Sequence, residues 1–255
     1  MKPVIKMKSL KHFIDRKGLF ICNHSGGKDS QALLIYLKKF VPYDQILIIH
    51  SKLPEVDWAG TEEKVYEYAG NIPVIVTKAG KTFFEMVQHR KMFPSPKYRQ
   101  CTSDLKRGPI EKVIRKYLKE HPEFGGLVVN CMGIRAEESS SRAKCETFKF
   151  NNRNSKAGRE WYDWLPIHKW TEKEIFFIID KFGQKPHWAY KAGMTRLSCC
   201  FCIMASKSDL ITAAKLNPCL YKKYVKTEKE IGKSMMMPVK GKVTFLEDYT
   251  GINSQ

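Results

Sequence analysis

Four short apolar runs set the frame of this chain: GLFIC at residues 18–22, QILIIH at 45–50, PVIVT at 73–77 and GLVVNC at 126–131. Each has the length of a buried strand, and the segments between them have helical spacing. Residues 30–40 and 61–69 read as helices. Residues 109–119 read as an amphipathic one, with Ile110, Val113, Ile114, Tyr117 and Leu118 on one face and Lys112, Arg115, Lys116 and Lys119 on the other. Pro109 suits its first turn. Strands alternating with helices predict an α/β fold with a doubly wound, mainly parallel, Rossmann-like sheet. In such sheets ligands bind beyond the carboxyl ends of the strands, near a topological switch point. The segments 23–30, 50–58 and 132–142, together with the stretch after Thr77, are therefore the candidate site segments.

After about residue 150 the pattern changes. FNNRNSKAGRE is polar and loop-like, and TEKEIFFIID opens with Thr171 and Glu174 in the spacing of a capping box. The rest reads as helices joined by short loops. The expected organisation is an α/β nucleotide-binding core over residues 1–150 and a helical, cysteine-containing C-terminal cap over 151–255 of the same domain.

The chain has 255 residues, of which 43% are hydrophobic and 12% aromatic, enough for a proper core. No stretch approaches 18 uncharged apolar residues, so no membrane span is expected. MKPVIKMKSLKHFI is basic and lacks a continuous apolar run, so no secretory leader is read there. The formal net charge of +19 favours polyanionic partners. It is uneven: between Arg90 and Lys119 stand ten Lys/Arg against two acids, Asp104 and Glu111. That stretch is either a solvated basic surface or a nucleic-acid contact. Eight cysteines in a chain with no leader point to reduced thiols in the cytoplasm, some of them binding metal, rather than to a disulfide framework.

The string NHSGGKDS joins the first strand to the first helix. Gly26 and Gly27 let the backbone turn tightly and approach an anion. Backbone N–H groups at the helix start supply positive potential. Ser25 and Ser30 add hydroxyls, Lys28 adds a charge, and Asp29 is placed to cap the helix or to help hold Mg²⁺. The Walker A spacing is absent. In GIRAEESSSR, Arg135 and Arg142 are seven apart and would share one face of a helix. Arginine forks grip phosphate or sulfate bidentately, while Glu137 and Glu138 are the alternative salt-bridge partners. In HSKLPEVDW, His50, Ser51, Lys52, Glu55 and Asp57 occupy a place where a ribose or base is often recognised; a structural loop is the equal alternative.

Cys101 lies close in sequence to Lys106 and Arg107, cations that favour a thiolate. SCCFC supplies Cys199 and Cys202 in C-x-x-C spacing, half of a four-thiolate zinc or iron–sulfur site, with Cys101 as a third ligand. The fourth stays open among Cys200, Cys219, Cys145, His187 or an outside ligand. Buried structural cysteines and a redox-active pair are the competing readings. No histidine has a Ser or Cys partner in a recognisable triad, so none is assigned as a general base, and HKW and HWAY read as packing.

SGGKDS resembles the PP-loop of the N-type ATP pyrophosphatases. Together with YRQCTSDLKRGPI, GIRAEESSSR, LPIHKWT and AGMTRLSCCFCIMAS it resembles the phosphoadenosine phosphosulfate (PAPS) reductase family, in its bacterial and phage PAPS-reductase-like branch. The resemblance implies an adenine nucleotide α-hydrolase-like fold and an adenine nucleotide held at residues 25–30 with Arg135 and Arg142. On that reading Lys28, Arg135 and Cys101 carry the chemistry. The chain departs from the cluster-bearing sulfonucleotide reductases, which have two Cys pairs, and from the thioredoxin-dependent ones, which carry a Glu-Cys-Gly nucleophile near the end; here the last cysteine is Cys219. Three functions follow. The first is ATP-pyrophosphatase chemistry with Mg²⁺, in which an acceptor such as a nucleic acid is adenylated and takes sulfur from a cluster, a Cys101 persulfide or a donor protein. The second is reduction of PAPS with a thiol reductant. The third is a non-catalytic nucleotide sensor that binds nucleic acid.

Overall fold

The computed structural model describes residues 7–238 and 241–254; the first six residues of the basic N-terminal stretch lie outside them. In chain order the elements begin with α1 (Met7–Asp15), β1 (Leu19–Asn23), α2 (Lys28–Phe40), β2 (Ile46–Ser51), α3 (Thr61–Ala69) and β3 (Val74–Thr77). They continue with α4 (Phe83–Arg90), α5 (Gln100–Thr102), a π-helical turn (Ser103–Arg107), α6 (Gly108–Glu120) and β4 (Leu127–Cys131). Next come α7 (Ser140–Ala143), β5 (Phe148–Phe150), β6 (Glu160–Trp164), α8 (Glu172–Lys181), α9 (Trp188–Lys191), α10 (Lys207–Leu216), α11 (Pro218–Ile231) and α12 (Leu246–Thr250).

Contacts divide the chain into two compact units, both discontinuous in sequence. The first comprises residues 1–50, 61–77 and 112–187, and it holds the sheet. Six strands run in the order β3-β2-β1-β4-β6-β5. β1 pairs in parallel with β2 and β4, β4 pairs in parallel with β6, and β5 is antiparallel to β6. The order reverses at β1, whose carboxyl end therefore lies at a switch point of the sheet. The doubly wound α/β architecture expected from the apolar runs is present, with strand bounds shifted by a residue or so.

β1 is an unbroken apolar run because both of its faces are covered. Phe20 and Cys22 join Leu33, Leu34, Leu37, Val129, Trp164 and Ile178 in the core beneath α2 and α8. α2 has Asp29 in its first turn and Lys38 and Lys39 in its last, matched to the helix dipole. α8 begins with the expected capping box: Glu174 N–H donates to Thr171 Oγ1 (3.3 Å) and Thr171 N–H donates to Glu174 Oε2 (2.7 Å). The reading of residues after 150 as helices and loops misses β6. EWYDW carries two charged residues and buries Trp161 and Trp164, three apart and so on opposite faces of the strand, a pattern unlike the aliphatic runs of β1, β2 and β4.

The second unit comprises residues 51–60, 78–111 and 188–255. It contains α4 and α9 to α12 around an aromatic core in which Phe83, Phe84 and Phe93 pack on Tyr224. Buried Glu228 accepts the backbone N–H groups of Met235 (2.7 Å) and Leu246 (2.8 Å), tying the segment after α11 to that helix. None of the helices among the described residues is long and apolar enough to cross a membrane.

Candidate functional site

In the first unit, residues 25–30 leave the end of β1 and wind directly into α2. Gly26 has φ +78°, and an added Cβ there would stand 2.6 Å from Thr61 Cγ2, so the loop needs glycine for both conformation and space. Gly27 is the extended N-cap of α2. Ser30 Oγ donates to Gly27 O (2.8 Å) and receives the Ser25 N–H (3.2 Å), which fixes the turn. The loop from β4 comes equally close: an added Cβ on Gly133 would lie 3.0 Å from the Asp29 carbonyl. That approach delivers Arg135 to the start of α2.

Arg135 is only 4% exposed. Its Nε donates to Asp29 Oδ1 (2.6 Å) and its Nη1 to Glu137 Oε2 (2.5 Å). Lys28 is 3% exposed, with Nζ 3.1 Å from Glu172 Oε1 and 3.8 Å from Asp29 Oδ2. Asp29 thus holds Arg135 rather than capping the helix. The one-helix reading of GIRAEESSSR does not hold. Ala136–Glu138 is a 3-10 turn, Ser139 is extended, and only Ser140–Ala143 is α-helical, because the segment turns twice to follow its anchors. Arg142 is ion-paired with Glu138, whose carboxylate also accepts the Arg135 backbone N–H (2.9 Å).

Three histidines shape this cradle, of which sequence singled out His50 alone, and for a ribose or base rather than for the loop. His24 Nδ1 accepts the Gly26 N–H (3.1 Å), and His50 Nδ1 meets the His24 carbonyl (2.9 Å). Burial, then the neighbouring His50 and Lys38, push His24 down to about 3, so it is neutral and able to accept at ordinary pH. His168 meets the Arg142 carbonyl through Nε2 (2.9 Å), and its own carbonyl accepts the Ala136 N–H (2.8 Å). LPIHKWT therefore braces the arginine loop, where sequence alone suggested packing. No local spacing distinguishes such histidines from core ones.

The second unit gathers the thiols. Cys101, Cys199 and Cys202 lie within electrostatic reach of one another and of Lys106. Cys200 N–H donates to Val56 O (2.8 Å), and Asp209 receives both Thr195 N–H and Thr195 Oγ1 (2.8 Å each), so the SCCFC loop is pinned at two points. Burial raises the Cys101 thiol above its ordinary value despite the pull of Lys106, and it pushes Cys199 and Cys200 up to about 12. The expected thiolate at Cys101 is thereby overturned: desolvation outweighs the cation. Cys200 is buried and Cys219 exposed on α11, while Cys145 and His187 belong to the first unit. Three thiols are a donor set for zinc or an iron–sulfur group. Yet among the described residues no three His, Cys, Asp or Glu side chains stand in a metal-holding arrangement. Glu55 pairs with Lys223, and Asp57 Oδ2 accepts the Leu53 N–H (2.5 Å), so both acids serve their loop. The basic stretch divides between the units at residue 111.

The model of the phosphoadenosine phosphosulfate reductase domain matches residues 20–205, well over half of the chain. The chain belongs to the PAPS reductase domain family. It is 30% identical over 151 residues to an uncharacterized 37.8 kDa protein in the gpa 5′ region of Escherichia phage 186, a match spanning 59% of this chain and 43% of that protein. It thus aligns with less than half the length of that relative. Among solved structures it is similar to phosphoadenylyl-sulfate reductase from Candida auris in a phosphate complex, at 10% identity and TM-score 0.48 over 77% of this chain and 89% of that one. FMN adenylyltransferase from Candida glabrata is similar at 13% identity and TM-score 0.46, over 76% and 60% of the two chains. A U34-tRNA thiolase from Methanococcus maripaludis with its [4Fe–4S] cluster is similar at 13% and 0.44, over 96% and 87%.

Proposed function

We propose that this PAPS reductase family member is an enzyme that holds an adenine nucleotide by its phosphates on residues 25–30 and uses ATP to activate an acceptor for sulfur transfer. The observation that carries the reading is the junction of β1 and α2. There a glycine turn, a helix start, Lys28 and Arg135 converge on one spot, a set of groups suited to the charge that develops on a leaving pyrophosphate. With Mg²⁺ on the phosphates, an acceptor oxygen attacks the α-phosphorus, the bond to the β-phosphate breaks and pyrophosphate leaves. A sulfide-level sulfur nucleophile from a donor then attacks the activated acceptor atom, which bonds to sulfur as its bond to the AMP oxygen breaks and AMP leaves; delivery from a persulfide would also consume a thiol reductant. Cys101, Cys199 and Cys202 are the proposed sulfur-handling group, and binding a metal or cluster there would need their protons removed and the side chains drawn together. Tyr98, 60% exposed between Lys97 and Arg99, supports a nucleic-acid acceptor, since a base stacks on such a ring while its phosphates meet the cations. A reducing, cytoplasmic setting suits free thiols.

The second reading is a sulfonucleotide reductase, favoured by the family that the chain matches. Against it, burial keeps Cys101 and Cys199 protonated at neutral pH, whereas attack on sulfur needs a thiolate. Pyrophosphate release from ATP that rises with added tRNA or DNA supports the first reading. Sulfite released from PAPS with a dithiol, and no pyrophosphate from ATP, replaces it with the second. Anaerobically purified protein without iron or zinc by elemental analysis would remove metal from the thiol group.

A further inference from the structure

Both cations of the cradle are held by the protein's own carboxylates, and these are not equivalent. Asp29 lies in the first turn of α2 and locks Arg135 from below. Glu137 Oε2 is doubly engaged, by Arg135 Nη1 (2.5 Å) and by the Glu172 N–H (2.7 Å). The Glu172 side chain, in contrast, is 50% exposed and reaches Lys28 Nζ at 3.1 Å from the first residue of α8. The capping box of α8 uses Thr171 and Glu174 and leaves the Glu172 carboxylate out. One turn on, Phe176 places its ring 5.9 Å from the same ammonium. This face of α8 therefore covers Lys28, and Glu172 is the member that can rotate to water without unwinding the helix.

Resting on the reading of residues 25–30 as a phosphate cradle, we propose that Glu172 competes with phosphate for Lys28 and so sets the cradle's affinity and its preference for polyphosphates. Binding exchanges the Lys28–Glu172 ion pair for a Lys28–phosphate contact while Glu172 turns outward. A pyrophosphate group, with several charges and its other oxygens on the loop N–H groups, displaces the carboxylate. A ligand that places no phosphate on Lys28 has nothing to displace. Removing the charge of Glu172 should therefore tighten polyphosphates and leave AMP alone.

The test is isothermal titration calorimetry with Mg²⁺-pyrophosphate, Mg²⁺-β,γ-imido-ATP and AMP against wild type, Glu172→Gln, Glu172→Ala, Lys28→Ala and Lys28→Ala/Glu172→Gln. Both Glu172 variants should bind the two polyphosphate ligands about fivefold more tightly, the size of one partly exposed ion pair. AMP should be unaffected, and the gain should vanish when Lys28 is alanine. Unchanged polyphosphate affinity in both Glu172 variants, while Lys28→Ala still weakens binding, overturns the competition and leaves the cradle standing. An equal gain for AMP, or a gain that survives Lys28→Ala, also overturns it, because the effect would then be a general field. If Lys28→Ala binds polyphosphate as tightly as wild type, the cradle reading itself fails.

Discussion

The loop at residues 25–30 takes its anion-binding groups from consecutive residues at the end of one strand, whereas the thiol group draws Cys101 and the Cys199–Cys202 pair from segments far apart in the chain. The loop offers a helix start with Lys28 and Arg135, whose carboxylate partners an anion must displace, and a neutral His24 holds it in shape. Burial keeps the protons of Cys101 and Cys199 on against the pull of Lys106, so these two become reactive only when a stronger positive charge or an opening of the loop removes that penalty. The anion site is opened by exchanging one ion pair for another; the Cys101 and Cys199 thiols wait on the loss of a proton.

The largest difference to probe is in thiol reactivity. With Cys199 held near 12, at pH 8 its thiolate fraction is about a thousandfold below that of an ordinary cysteine. Alkylation followed by peptide mass spectrometry should find Cys199 slower than a small-molecule thiol by about that factor in native protein, and equal to it in denaturant. Equal native rates would mean that the thiols are already activated.

Next in size is the acid response of the first unit. His24 is depressed to about 3, so the unfolded chain takes up a proton below about 6.5 that the folded chain refuses. Stability is full above that range and falls as pH drops toward 3, by up to a few kcal/mol from this group. Thermal melts between pH 7 and 4 should show the loss, and His24→Gln, which keeps an acceptor for Gly26, should flatten it. An unaltered slope would show that His24 is not the group refusing the proton.

The smallest effect separates the loop's conformation from its crowding. Gly26 and Gly158 both have φ +78°, but an added Cβ would meet Thr61 at 2.6 Å in the first and nothing within 4 Å in the second. Gly158→Ala should cost about 1 kcal/mol and Gly26→Ala about 2–3. Equal melting temperatures would mean that Thr61 yields freely.

Much of the cradle was legible because its signals are local. Apolar runs mark β1, β2 and β4, and SGGKDS lies within one turn of chain between a strand and α2. What escaped depends on distant neighbours. Arg135 and Arg142 were placed on one helix by spacing, but the loop bends to reach Asp29 on one side and His168 on the other. The sign of the Cys101 shift could not be read from Lys106, since sequence shows a nearby cation and hides the burial that opposes it. β6 was lost because its buried residues are two tryptophans set among Glu160, Tyr162 and Asp163, which make neither an aliphatic run nor a period-two alternation. Glu172 carries no signal at all until α8 is laid beside Lys28.

The most direct measurement of the central claim is equilibrium binding of Mg²⁺-ATP to wild type and to Lys28→Ala. A phosphate held at the junction of β1 and α2 predicts measurable binding by the wild type and a loss of about a hundredfold in the variant, the scale of a charge-assisted contact in a water-poor site. Equal affinities, or no ATP binding by the wild type, would contradict it.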